Sequence, residues 1–150
     1  MGILTTKEYL GQIRDFKKRV SEKQAEIDTM RESLTSISVN LENERVSSSS
    51  DPDKIGSMVS SILDREAELE VLVKRFVEKE RIISEQIDGM ENYRCREILH
   101  WRYVEEKTFE DISANCMYIT FRHAVRLHGR ALREFEDQYG EFYVNRKDVL

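Results

Sequence analysis

Proline, glycine and cysteine are all scarce in this sequence of 150 residues, which has one proline, six glycines and two cysteines. Because β-strands need frequent turn residues between them, this scarcity predicts an all-α protein. The chain also lacks an apolar run near the roughly 18 residues that a membrane-spanning helix requires. Its first residues do not join a basic segment to a long apolar one, as a secretory signal does. We therefore expect a cytoplasmic helical protein.

Residues that build catalytic or metal sites are few and poorly spaced. Cys95 and Cys116 have no metal-like spacing with His100, His123 or His128, and we interpret both as reduced, packed thiols. The sequence has no glycine-rich phosphate loop and no pair of nucleophile and base beyond chance. It predicts a protein that is not an enzyme and that needs no metal or cofactor.

The net charge of −5 is unevenly distributed along the chain. Residues 1–93 carry 14 basic and 19 acidic groups, residues 94–133 carry 8 and 5, and residues 134–150 carry 2 and 5. The middle segment is therefore the only basic one, with a net charge of +3. A basic segment in an acidic chain is typical of a localised site for a polyanion.

Apolar residues recur every seven positions through most of the first 90 residues. This narrow repeat favours two long helices with coiled-coil seams over helices with broad globular faces. Lys23 interrupts the first seam, either to fix the register of the pairing or with its amine extended toward solvent. The predicted oligomerisation seam consists of Ile13, Phe16, Val20, Ile27, Met30, Leu34, Ile37, Leu41, Ile55, Ile62, Leu69, Phe76 and Ile83.

A serine-rich stretch, VSSSSDPD, separates the two repeats. Serine disfavours a helix interior, whereas Ser50 or Asp51 can cap a new helix that has Pro52 in its first turn. We place the loop at residues 47–53 and expect a long antiparallel helical hairpin over residues 1–89. The alternative is that each helix pairs with its copy in another chain. In both cases a thin helical pair is expected to serve oligomerisation.

The heptad pattern ends near Gly89, and aromatic residues become more frequent after it. This change indicates a small globular helical domain over residues 90–138, followed by a C-terminal tail over 139–150. Within the domain, Thr108 can cap a short helix that ends near Asn115, with Asp111 completing a capping box, and Thr120 can cap the next helix. Two helices joined by a short turn predict a helix-turn-helix.

The stretch RHAVRLHGRALREF, residues 122–135, predicts a strongly amphipathic helix. At about 100° per residue, its arginines fall within an arc of about 80°, and its apolar residues face the opposite side. His128 lies on the apolar side and is expected in the core, whereas His123 lies beside the arginines. This basic side is either an ordinary solvated face or a surface for the phosphates of duplex DNA. The four arginines are Arg122, Arg126, Arg130 and Arg133.

The segments ILHWRYVEEKTFEDIS and RHAVRLHGRALREF resemble region 4 of sigma-70-type factors. The ending from Arg126 to Leu132 is similar to that of small phage and prophage late-gene regulators of the ArpU and RinA kind. The resemblance covers residues 90–136. It implies a transcription regulator in a bacterial host cell that binds double-stranded DNA through a C-terminal helix-turn-helix. It further implies a homo-oligomer formed through the N-terminal coiled coil, with RNA polymerase or another phage protein as a further partner.

The same resemblance implies roles for individual residues. The first turns of a recognition helix enter the DNA groove, and flanking residues contact phosphates. For Phe121, burial against Ile112 is the alternative to a contact with a base. The implied base-reading residues are Thr120, Phe121, Arg122, His123 and Arg126, and the implied phosphate contacts are Lys107, Thr108, Arg130 and Arg133.

Tyr118 occupies a turn position where the resembling family usually has glycine. Glycine adopts a positive φ at little steric cost, and tyrosine does not. We therefore expect a turn that uses Asn115 in a left-handed conformation or that is reshaped.

Two other functions are compatible with the same features. A small terminase subunit also joins a helix-turn-helix to a helical oligomerisation region and recognises viral DNA for packaging. A sigma-like adaptor or inhibitor would instead bind a protein partner through the C-terminal domain, which the net acidity of the chain favours.

Overall fold

The computed structural model describes residues 4–43 and 52–144, in which every regular element is helical and no strand occurs. The prediction of an all-α protein is confirmed for this part of the chain. Two helices continue into π-helical turns, at His100–Val104 and Ile112–Cys116, and the last continues into a 3₁₀ turn at Gly140–Phe142. The α-helices are α1 Thr6–Leu10, α2 Gln12–Asn43, α3 Pro52–Asp88, α4 Tyr93–Leu99, α5 Phe109–Asp111 and α6 Phe121–Tyr139.

Several predictions about the connection and the ends of the chain concern residues outside this description. The predicted loop at 47–53 overlaps the described residues only where α3 begins, with Pro52 in the first turn as predicted. The capping roles of Ser50 and Asp51, the side chain of Leu41 and residues 145–150 of the predicted tail lie outside the described residues.

The chain divides into two compact units. The core unit comprises residues 4–15 and 76–144, and the paired-helix unit comprises residues 16–43 and 52–75. The predicted boundary at residue 89 differs from this division, because the start of α2 and the end of α3 belong to the core unit. The physical reason is that these helix ends pack into the same apolar cluster as α4 and α6.

In the paired-helix unit, α2 and α3 are joined by ion pairs between oppositely charged side chains. The Lys23 amine lies 2.9 Å from a Glu68 carboxylate oxygen, and Arg31 pairs with Glu66. In both pairs a side chain of α2 reaches a carboxylate of α3. Each exposed ion pair contributes only about 0–1 kcal/mol to stability, so the pairs specify alignment more than they hold the helices together. For Lys23, this partner on α3 favours the role in register, and its hydrogen bond to Glu68 raises the pKa of the amine.

The predicted seam residues of the paired-helix unit whose side chains are described are all at least partly buried. Ile27 and Ile62 are the most buried of them, at 1% and 7% exposed. Within one chain the seam is therefore already used for intramolecular packing. The seam residues that are partly buried are Phe16, Val20, Met30, Leu34, Ile37, Ile55 and Leu69.

Two other predicted seam residues, Ile13 and Ile83, belong to the core unit instead. They are 2% and 0% exposed and lie in one apolar cluster with residues of α4 and α6. Phe76 packs against the same cluster. Their assignment to an oligomerisation seam is wrong, because heptad spacing identifies the apolar side of a helix and not the element that covers it.

Gly89 ends α3 at a point where a tyrosine comes close to the backbone. A Cβ atom at position 89 would approach the hydroxyl oxygen of Tyr139 more closely than Cβ atoms in proteins approach other atoms. The Gln138 side chain donates to the Gly89 carbonyl oxygen at 3.0 Å. The absence of a side chain at Gly89 therefore lets the end of α6 approach the end of α3.

Tyr143, near the C-terminal end of the described chain, packs against α1. Its side chain is fully buried, its ring stacks on that of Tyr9 at a centroid distance of 4.3 Å, and its hydroxyl lies 2.8 Å from the Thr6 hydroxyl. The predicted tail over 139–150 is thus wrong at its start, because Tyr139 and Tyr143 pack in the core cluster.

Replacing Tyr143 by alanine is expected to lower the free energy of unfolding by about 3–5 kcal/mol, the usual cost of deleting a buried aromatic ring. Phe142 is the matched control, because it is adjacent and half exposed, and Phe142→Ala is expected to change stability by at most about 0.5 kcal/mol. Urea unfolding followed by circular dichroism measures both. Equal effects of the two substitutions would contradict the buried position of Tyr143.

Candidate nucleic-acid interface

Helix α6 carries the predicted basic surface. Thr120 caps the helix as predicted, since its hydroxyl oxygen accepts from the His123 backbone N–H at 3.1 Å. One side of the helix is buried through Ala124, Leu127, His128, Ala131 and Phe135. The opposite side is exposed and carries what we call the arginine face: Arg122, Arg126, Arg130 and Arg133.

One of these four arginines has an acidic partner on its own helix. Arg130 Nε lies 3.2 Å from a Glu134 carboxylate oxygen, so the expectation that the arginines lack local carboxylates is wrong at this position. Among the described residues, Arg122, Arg126 and Arg133 have no carboxylate within ion-pair distance. Their mutual repulsion is consequently relieved only by solvent or by an anion from outside the chain.

The helix that precedes α6 begins at Phe109 and ends one residue beyond the predicted Asn115. The Thr108 hydroxyl accepts from the Asp111 backbone N–H at 3.1 Å, which confirms the predicted cap. The predicted capping box is not formed, because the Asp111 carboxylate accepts from the Asn115 side chain at 2.7 Å. Thr108 is exposed and Lys107 is half-buried beside it, so both lie at the N-terminal end of this helix, where we expected phosphate contacts.

The turn between α5 and α6 is built around Tyr118 in a left-handed conformation, with φ of 54°. The expectation that Asn115 would take this conformation is wrong, because Asn115 lies inside the helical segment. The Ile119 backbone N–H donates to the Ser113 carbonyl oxygen at 3.0 Å and closes the turn. Tyrosine therefore adopts the conformation that glycine takes more easily, at a cost on the order of 1–2 kcal/mol.

Apolar side chains accompany the arginines on the exposed surface. Phe121 is 49% exposed and lies edge-on to Phe109 at 6.4 Å, so the alternative of burial against Ile112 is wrong. Val125 and Tyr118 are also exposed, and Tyr118 is exposed by 81%. Neither Tyr118 nor Val125 is among the site residues predicted from the sequence. Val125 lies about 300° around the helix axis from Arg122, between the buried side and the arginine face. This position was the signal in the sequence that could have identified it.

His128 lies in the core, as its helical position predicts. Its Nε2 lies 2.8 Å from the Tyr103 hydroxyl oxygen, and its ring packs on that of Phe109 at 4.9 Å. Burial, with smaller contributions from the charges of Lys7 and Arg102, lowers the pKa of His128 to about 4. The imidazole is thus neutral at physiological pH.

The two cysteines are free thiols. Burial is the main cause that raises the pKa of Cys95 to about 12, and burial likewise raises the pKa of Cys116. Neither thiol is therefore activated as a nucleophile. In residues 4–43 and 52–144, no group of histidine, cysteine or acidic side chains is arranged to hold a metal ion.

No family model, curated protein or solved structure matches this chain. No helix of the described residues is long and apolar enough to cross a lipid bilayer.

Replacing Tyr118 by glycine is expected to raise the free energy of unfolding by about 0.5–1 kcal/mol. Glycine removes the steric cost of the left-handed conformation and adds a smaller entropic cost of its own. Tyr118→Ala is the control, because alanine removes the same ring and retains the strain. If both variants have equal stability in urea unfolding, the strain at Tyr118 is contradicted.

The low pKa of His128 is expected to make stability fall as the solution becomes acidic. The unfolded state takes up the proton near pH 6.5, whereas the folded state does so only near pH 4. Stability is thus complete above pH 6.5 and declines toward pH 4. Between pH 7.5 and pH 5 the free energy of unfolding should fall by about 2 kcal/mol from this group. Urea unfolding at both pH values should show this decline in the wild type and in His123→Gln, which alters an exposed histidine, but not in His128→Gln.

Proposed function

We propose that this chain is a DNA-binding transcription regulator. It binds duplex DNA through a helix-turn-helix made of α5, the π-helical turn after it and α6, and it oligomerises through a hairpin formed by α2 and α3. The observation that carries the proposal is the arginine face, where three exposed guanidinium groups lack an acidic partner in the described chain. Duplex DNA supplies the dense negative charge that such a face requires.

The N-terminal half of α6 supplies groups suited to base recognition. Arg122 and Arg126 are one helical turn apart on the exposed side, and an arginine fork matches the two acceptors on the major-groove edge of guanine. Thr120 and His123 are exposed beside them and can hydrogen-bond to base edges. Phe121 and Val125 offer apolar surface of the kind that contacts thymine methyl groups.

Phosphate contacts are proposed for residues on both sides of the turn. Arg133 is exposed and has no acidic partner in the described chain. Arg130 shares one N–H with Glu134, and its other N–H groups suit a phosphate oxygen. Lys107 and Thr108 lie at the N-terminus of α5, where the positive end of a helix favours an anion. Together these contacts would position α6 in the groove.

Oligomerisation is proposed through exposed apolar side chains of α3 that lie beside its seam. Val59, Leu63 and Val73 are exposed and fall within an arc of about 80°. The predicted seam residues are at least partly buried within the chain, so these exposed side chains offer a second chain an apolar surface to cover. Two chains would present two recognition helices to two half-sites.

Sedimentation equilibrium at micromolar concentration should give a dimer or a larger species, and a monomer would contradict the proposed oligomerisation.

Replacing Arg122 and Arg126 by alanine is expected to weaken binding to the preferred duplex by about 1–3 kcal/mol for each lost base contact. The preferred duplex is first selected from a random pool with the wild-type protein, and affinity is then measured by fluorescence anisotropy at a fixed, moderate salt concentration. Because base contacts are lost, the double variant should also discriminate less between this duplex and a scrambled one.

The matched control is Arg94→Ala, which removes an exposed arginine of α4. Its affinity and sequence preference should equal those of the wild type. Unchanged affinity in the Arg122/Arg126 double variant would overturn the proposed role of α6.

A further inference from the structure

The core unit contains a cavity that the proposed DNA interface does not use. Its volume is about 230 Å³, and it is lined by residues of α1, α2, α5 and α6 and of the segment between α4 and α5. The residue of α6 that lines it, His128, lies about 160° from the centre of the arginine face around the helix axis. The cavity is therefore on a different side of α6 from the arginine face.

The charged side chains that line this cavity are mainly cationic. Lys7, Arg14 and Arg102 carry three positive charges, and Glu106 carries one negative charge, which leaves a formal charge of +2. In the described part of the chain, Lys7 and Arg14 have no carboxylate within ion-pair distance. The fold brings these three cations to one small concave site, where they repel each other. An anion in the cavity would remove this repulsion.

Arg102 is held in place by two contacts within the protein. Its guanidinium carbon lies 4.5 Å from the centre of the Phe109 ring, and one N–H donates to the Lys107 carbonyl oxygen at 3.0 Å. A guanidinium group has five N–H donors, so others are left to a ligand. Because the side chain is already positioned, binding costs little of its conformational entropy.

The backbone around the cavity is irregular where these side chains originate. Arg102 and Tyr103 lie in the π-helical turn His100–Val104, and Glu106 has a positive φ of 55°. Turns of this kind and strained residues concentrate at functional sites. The paired Tyr103 hydroxyl and His128 imidazole form a half-buried polar wall beside the cations.

We propose that this cavity binds the phosphate group of a small phosphate monoester. Such a group carries about −1.5 to −2 charges at pH 7, which matches the formal charge of the cavity. Arginine forks bind phosphate oxygens in pairs. The volume is below the roughly 300–1,000 Å³ of sites for drug-sized ligands, so the molecule is small, and the Phe109 ring offers apolar contact for the part beyond the phosphate.

Inorganic phosphate is the probe for a first experiment on the full-length protein. The chain has three histidines, so their ring signals can be followed individually by nuclear magnetic resonance, with His128→Gln to assign the relevant one. Phosphate is titrated at constant ionic strength against chloride. A saturable shift is expected for the His128 ring and not for His100 or His123. The absence of a saturable His128 response would overturn the proposal.

Substitutions of the cations test the same site independently of DNA binding. The Lys7→Gln/Arg14→Gln double variant should bind phosphate at least about tenfold more weakly, the loss expected for charge-assisted hydrogen bonds. Both side chains are exposed, so its thermal unfolding midpoint should match that of the wild type. Arg94→Gln is the matched control and should bind phosphate normally. Full phosphate affinity in the double variant would overturn the proposal.

The phosphates of DNA are the other source of this chemistry. One outcome would assign the cations to the DNA surface and overturn the proposal. In that outcome the wild type shows no saturable response to free phosphate, and the Lys7→Gln/Arg14→Gln variant loses affinity for duplex DNA. Phosphate binding in the cavity does not depend on the proposed DNA-binding function. The Arg122→Ala/Arg126→Ala variant should still bind phosphate. This holds even if the variant also binds duplex DNA normally, the result that would overturn the proposed role of α6.

Discussion

The apolar side of α6 is the surface on which the rest of the core unit is assembled. Ala124, Ala131 and Phe135 are fully buried, and segments far apart in the sequence cover them, including α1, α4 and the end of α3. Each large side chain buried in this way contributes about 1.5–3 kcal/mol. Because a helix is rigid, burial of one side determines which residues face outward. The exposure of the arginine face is therefore a consequence of the packing of Phe135 and its neighbours.

The direction in which α6 leaves the turn depends on Tyr118. The hydrogen bond from Ile119 to Ser113 and the cap at Thr120 hold the chain on either side of this residue, so its backbone has no room to relax. The strain is tolerated because these contacts and the buried side of α6 outweigh about 1–2 kcal/mol. The same conformation turns a large aromatic side chain outward next to Phe121. Tyr118 thus combines a strained backbone with an exposed ring two residues before the start of α6.

Local features of the fold and of the site follow from the sequence. The caps at Thr108 and Thr120 depend on hydrogen bonds within three residues, and the division of α6 into buried and basic sides depends only on helical periodicity. Nonlocal features do not follow in this way. Ile13 and Ile83 satisfy a heptad pattern, yet the elements that cover them lie elsewhere in the chain. Tyr143 has no sequence signal at all for its stack on Tyr9, because that contact exists only once the chain is folded.

The net negative charge of the chain does not oppose an interaction with DNA at α6. At physiological ionic strength, the field of a charge is screened over a Debye length of about 8 Å, so a phosphate near α6 responds to nearby groups and not to the total of −5. Within the described residues of the paired-helix unit, several acidic groups pair with neighbouring lysines and arginines. Close to the surface of α6, three guanidinium groups lack an acidic partner among the described residues. The local charge, and not the composition, therefore determines which partner this surface can bind.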